Sequence, residues 1–291
     1  MDLLFKGVAT ALYTPFTKTG IDYEQFEAQL ERQVQAKVDA LVILGTTGEC
    51  STVNRNERKD IIRFAISRLK GKLPIIIGTG SNCTQTACDF TSEAKELGAD
   101  GALIVTPYYN KCEQDGLYLH YREISKRCKF PFITYSVPTR TGVEILPDTL
   151  KKIAMLDGFC GLKEANCDKQ KIEQTISIFD KTPPIYCGSD EMIRHFLKLN
   201  CAGIISVASN VIPLKIKEYI RDFTNDYDDN LKNDESNLFT IFKALTTKVN
   251  PIPIKVLASL KFNEKCIFRL PLNYPDETYV NYLKSILKLL K

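Results

Sequence analysis

The sequence has no tryptophan, two histidines and three methionines. His120 and His195 leave little material for a zinc site, and both fall on predicted helices, in Tyr118-Leu119-His120-Tyr121 and Ile193-Arg194-His195-Phe196. A metal site is therefore not expected. Ten cysteines are present (Cys50, Cys83, Cys88, Cys112, Cys128, Cys160, Cys167, Cys187, Cys201 and Cys266), but no CxxC pair occurs, which removes the zinc-ribbon and thioredoxin-type readings. Several cysteines sit in apolar runs, as in GFCGL and PIYCG, where a reduced thiol acts as a small buried hydrophobe. There is no large excess of either charge. Lys plus Arg total 39 and Asp plus Glu total 35, giving 39 − 35 = +4. That is no nucleic-acid footprint, which needs clustered cations on one face. No run approaches the roughly 18 to 20 apolar residues of a membrane span. The start, MDLLFKGVATALYTPF, is broken by Lys6 and Pro15 and does not read as a signal peptide. Cytoplasmic location and no membrane partner are expected.

What is present is an alternation. Eight short apolar, β-branched runs are predicted as strands: 7–13, 40–44, 74–77, 101–105, 131–135, 158–162, 184–187 and 203–207. Their near-continuous apolar character is that of strands covered on both faces. Helical patterns lie between them. In 23–38, Phe26, Leu30 and Val34 fall four apart, and in 56–69, Ile61, Ile62, Ala65, Ile66 and Leu69 share a face. Asp22 and Asn54 are expected N-caps. Further helices are expected to open at Thr84, Gln114, Asp148, Asp168, Asp190 and Ile212. Eight βα units match a (β/α)8 TIM barrel. A doubly wound sheet uses the same alternation, but the first strand leads into YTPFTKTG, with no GxGxxG. From about Asn225 the character changes: 225–235 is dense in Asp and Asn and reads as a loop or a helix entry, and 238–248, 254–261 and 278–290 then read as helical. The expected organisation is a catalytic barrel over 1–224 and a C-terminal helical region over 225–291.

Such a barrel carries its chemistry at the C-terminal strand ends. Hydroxyls, phenols and one lysine converge there: Thr46-Thr47 after the second strand, Tyr108-Tyr109 after the fourth, Tyr135 to Arg140 after the fifth and Lys163 after Phe159-Cys160-Gly161-Leu162. A lysine on an interior strand is expensive unless it is paired or functional. Desolvation lowers its pKa, and the free amine is then a nucleophile toward carbonyls. The alternatives are a buried ion pair, as with the adjacent Glu164, or a strand end that simply reaches water. Schiff-base chemistry needs proton transfers, which Tyr135 and Thr47 are equipped to perform. Arg140 fits bidentate grip of a carboxylate, or a surface salt bridge.

Gly45-Thr46-Thr47-Gly48-Glu49, Pro107-Tyr108-Tyr109-Asn110, Tyr135-Ser136-Val137-Pro138-Thr139-Arg140-Thr141-Gly142 and Gly161-Leu162-Lys163-Glu164-Ala165 together resemble the dihydrodipicolinate synthase family. Gly188-Ser189-Asp190, Gly203 to Val207, Asn250 to Lys255 and Arg269-Leu270-Pro271 extend the resemblance over essentially the whole chain. It implies a pyruvate-dependent class I lyase with no cofactor beyond a covalent imine between Lys163 and pyruvate. The enamine would attack aspartate-4-semialdehyde, and the product would cyclise. By the same resemblance Tyr135, Thr47 and Tyr109 form a proton relay, with Tyr109 reaching across a subunit interface. Thr46 and Thr47 hold the pyruvate carboxylate, Arg140 orients the semialdehyde, and Gly188 and Ile205 shape the pocket through their backbone. A homotetramer built from dimers is implied, with a dimer as the alternative.

Relatives acting on N-acetylneuraminate or 2-keto-3-deoxy sugar acids share the lysine and the tyrosine. The Thr-Thr pair, Tyr109-Asn110 and Arg140-Thr141-Gly142 favour the synthase. An inactive scaffold relative is disfavoured by the intact set. Two departures stand out. Ser136 replaces a common Asn. In the family's lysine-feedback site, represented here by Cys50, Ser51, Arg55, Arg58, Asn82, Thr86 and Tyr108, Thr86 stands where a glutamate would hold the lysine amino group. Two arginines there would repel a cationic ligand. Weak or absent lysine feedback is expected.

Overall fold

A computed structural model describes residues 3–179, 182–224 and 231–290. Among the described residues the elements run β1 (Gly7–Ala11), α1 (Tyr23–Gln35), β2 (Ala40–Ile43), α2 (Arg55–Leu69), β3 (Ile75–Gly78), α3 (Thr84–Glu96), β4 (Gly101–Val105), α4 (Gln114–Cys128), β5 (Phe132–Ser136), α5 (Pro138–Thr141), α6 (Pro147–Ala154), β6 (Phe159–Glu164), α7 (Lys169–Ser177), β7 (Ile185–Cys187), α8 (Ile193–Lys198), β8 (Gly203–Ser206) and α9 (Pro213–Thr224). Three more helices follow: α10 (Leu231–Thr246), α11 (Ile252–Phe262) and α12 (Glu277–Leu287). The strands follow chain order around a closed barrel. This is the (β/α)8 fold expected from the alternation, with helices after it. The expected boundary falls between Thr224, which ends α9, and residues 225–230, which lie outside those described.

The chain divides into two compact units, Met1–Lys6 with Pro74–Ile205, and Gly7–Leu73 with Ser206–Lys291. In the first, parallel pairs run from β3 through to β8. The β5–β6 register sets Tyr135 opposite Lys163, after a shift between Phe132 and Ile133. Gly161 makes that register possible. Its φ is +146°, and a Cβ there would lie 2.5 Å from the Pro184 carbonyl oxygen. The helices bury their apolar faces, with His120 and Tyr121 on α4 both inside. Thr84 bonds the His120 ring at 3.0 Å, and burial holds the imidazole down at about pKa 4.

In the second unit β1 pairs with β2. Asp22 caps α1 by accepting from Gln25 N–H, and Asn54 with Glu57 forms a capping box on α2, as the sequence predicts. Helix α11 is apolar on all sides because it is enclosed: Ile252 to Ala258 are all buried, including Lys255. All ten cysteines are free thiols.

Candidate active site

Lys163 is 5% exposed in the fully buried strand β6. Its pKa is lowered to about 8, mainly by burial. The nearby Arg140 charge pushes the same way, while Asp190 and Cys187 oppose it. The Nζ lies 4.2 Å from the Tyr135 ring centroid. Alternate strand residues face opposite ways, so Glu164 turns elsewhere. It accepts from the Asn166 N–H at 2.7 Å, and burial raises its pKa to about 7. The carboxylate whose charge acts on Lys163 is that of Asp190, on the 3-10 turn after β7, which the sequence reading did not single out for this role. Its signal in the sequence was only its place at a strand end.

Tyr135 is 7% exposed and lies beside Lys163 on β5. Ser136 is fully buried, and its carbonyl accepts from Ala165 N–H. Arg140 sits on the short, exposed helix α5. That turn is closed by Gly142 at φ +72° and held by Thr141, whose hydroxyl accepts from Thr106 at 2.9 Å and bonds the Val143 carbonyl. Gly188 is required by close approach. A Cβ there would meet the Glu164 carbonyl oxygen at 2.9 Å and the Ala165 Cβ at 3.0 Å. Its N–H donates to that carbonyl. Ile205 is buried at the end of this unit. Tyr109 is 89% exposed with φ +74°, a strained setting for a bulky residue. Tyr108 is also exposed, and Asn110 Nδ2 donates to the Asn82 carbonyl. Thr86 is half-buried on α3.

The second unit carries Thr46 and Thr47. Thr47 is 3% exposed and its Oγ1 accepts from Asn250 Nδ2 at 3.0 Å. Gly48 lies so close to Leu44 and Leu12 that a Cβ would sit 3.1 Å from Leu44 backbone. Thr14 Oγ1 donates to the Gly48 carbonyl at 2.6 Å. Two residues past Thr47, Glu49 Oε1 meets Lys255 Nζ at 2.6 Å, both side chains almost fully buried. The ammonium also donates to the carbonyls of Thr14 and Ile267, and lies under the Phe16 and Phe268 rings. Neither Asn250 nor Lys255 was given a role by sequence reasoning, although both fall in one motif. Cys50 and Ser51 form a 3-10 turn, Arg55 is exposed and Arg58 is buried.

A buried, partly neutral amine beside a phenol, with an exposed guanidinium charge near it, suits covalent capture of a small keto acid. The match to known proteins agrees. The family model of the dihydrodipicolinate synthetase family matches residues 4–290. The 4-hydroxy-tetrahydrodipicolinate synthase of Alkaliphilus oremlandii is 40% identical over 94% of both chains. The crystal structure of dihydrodipicolinate synthase from Thermotoga maritima superposes with a TM-score of 0.92 at 38% identity, over 98% of each chain. The chloride-inhibited dihydrodipicolinate synthase from Acinetobacter baumannii, complexed with pyruvate, gives 0.93 at 34% identity, again over 98% of each chain. The chain belongs to the dihydrodipicolinate synthetase family.

Proposed function

We propose that the chain is a Schiff-base lyase that condenses pyruvate with L-aspartate-4-semialdehyde to 4-hydroxy-tetrahydrodipicolinate, in lysine and diaminopimelate biosynthesis. The observation that carries this reading is Lys163, an amine held near pKa 8 by burial. Its neutral form adds to the pyruvate keto carbon, and loss of water gives the imine. Removal of a methyl proton gives the enamine, whose carbon attacks the aldehyde. The aldehyde oxygen takes up a proton and becomes the 4-hydroxyl. The substrate's own amine then displaces Lys163 from the imine carbon, closing the ring and freeing the enzyme. Tyr135 and Thr47 carry the protons, with Tyr109 supplied by a second copy of the chain. Its 89% exposure and strained backbone support that reading of Tyr109. Thr46 and Thr47 receive the pyruvate carboxylate, Arg140 the semialdehyde carboxylate, and Gly188 and Ile205 line the pocket with backbone. The reaction needs no cofactor. A homotetramer in the cytoplasm fits; among the described residues no helix is long and apolar enough to cross a membrane.

Treatment with pyruvate and borohydride is expected to fix a pyruvate-derived mass on the peptide containing Lys163. No adduct, or an adduct on another lysine, would defeat the mechanism. Assays with aspartate semialdehyde, N-acetylneuraminate and 2-keto-3-deoxygluconate separate the synthase from its aldolase relatives. For regulation, the exposed Arg55, the buried Arg58 and the neutral Thr86 all disfavour a cationic ligand. Titration with lysine is expected to leave the rate nearly unchanged, and half-inhibition well below millimolar would sink that expectation.

A further inference from the structure

We infer that Asn250 is a positioning residue for this reaction, its side-chain amide fixing the direction in which the Thr47 hydroxyl donates. This role rests on the reading of Thr47 as a relay and carboxylate-holding group. A threonine hydroxyl has one hydrogen and two lone pairs. Asn250 Nδ2 donates to Thr47 Oγ1 at 3.0 Å and so occupies one lone pair. The Thr47 hydrogen is thereby aimed away from Asn250 and kept for an anionic or proton-accepting partner. Thr47 is 3% exposed, so bulk water competes little for it.

The surrounding frame holds this one contact from both sides. Asn250 lies two residues before α11, and Lys255 lies in the first turns of that helix. Lys255 grips Glu49, two residues past Thr47, while Thr14 grips the Gly48 carbonyl between them. One stretch of chain thus supplies the amide that orients Thr47 and the ammonium that anchors its loop. A buried ion pair is a costly anchor, and its geometry is useful where register matters.

Asn250→Asp tests the polarity. A carboxylate only accepts, so it would draw the Thr47 hydrogen toward itself. With pyruvate alone in D2O, exchange of its methyl protons reports enamine formation and is read by NMR. Asn250→Asp is expected to slow exchange, and kcat of the condensation, about tenfold or more. At saturating pyruvate the amount trapped on Lys163 at equilibrium by borohydride should stay at the wild-type level, although more pyruvate is needed to reach it because Thr47 also holds the carboxylate. In a Thr47→Val background the Asp substitution should slow exchange no further, since the assigned role runs through the Thr47 hydroxyl. Asn250→Ala, which removes the donor without adding charge, should slow exchange less than Asp and serves if the Asp variant does not fold. Wild-type exchange in the folded Asn250 variants overturns the assignment, as does an equal loss in the Thr47→Val background. Wild-type exchange in Thr47→Val itself defeats the relay reading, and is seen before any Asn250 variant is made.

Discussion

Lys163→Ala is expected to lower kcat by roughly 10³-fold or more, with the fold intact. The amine is the group that joins the substrate, so no neighbour can replace it. Lys163→Arg should fail equally, because a guanidinium stays protonated and is a poor nucleophile. The native enzyme's kcat/KM should climb with pH along a limb near 8, where burial has placed the Lys163 amine. A limb far above 9, or full activity in the Arg variant, would refute the role.

The same burial has a thermodynamic consequence. The Lys163 pKa falls from 10.5 unfolded to about 8 folded. Between those values the unfolded chain holds a proton that the native chain has released, so stability rises with pH across that window. Below pH 8 the full cost of the buried charge is present, at most about 3 kcal/mol. Lys163→Met should therefore melt at or above the wild-type temperature at pH 7, and the difference should shrink toward pH 10. A variant that unfolds at pH 7 would instead mark Lys163 as a structural partner of Asp190.

The barrel was legible in the sequence because its signals are local. β-branched runs, the Asp22 and Asn54 caps and the helical spacing of Ile61 to Leu69 act over a few residues, and tertiary packing did not override them. Lys163 was legible because a lysine following Phe-Cys-Gly-Leu violates the interior pattern. Asp190 and Asn250 were not, since both are ordinary loop residues whose meaning lies in a contact or field from far along the chain. Asn250 meets Thr47 across 203 residues. Lys255 was harder still. It sits in an apolar helix and breaks its pattern as Lys163 breaks that of β6, yet its partner Glu49 lies 206 residues away. Pattern violation alone does not separate a nucleophile from a buried ion pair. The environment does: burial lowers both amines, but Lys255 is held by a carboxylate at 2.6 Å and two carbonyls, whereas at Lys163 burial is opposed by the charges of Asp190 and Cys187.

That distinction sets the largest expected loss of stability. Lys255→Met should cost about 3–5 kcal/mol, because it strands the Glu49 carboxylate with its ammonium gone. For a chain of this size the melting point should fall on the order of 10 °C. Burial already raises the Glu49 pKa, and the Lys255 charge is the main influence opposing it. Without Lys255 the folded pKa rises further. A group whose folded pKa is raised takes up a proton on folding, so its contribution to stability is present at low pH and lost as pH rises through the folded value. The deficit of Lys255→Met should accordingly be smaller near pH 5 than near pH 8. Adding Glu49→Gln should recover much of the loss, since no buried charge is then left alone. Thermal melts of the three proteins at the two pH values check this. If the single variant melts like wild type at pH 8, Glu49–Lys255 does not hold the loop that carries Thr47.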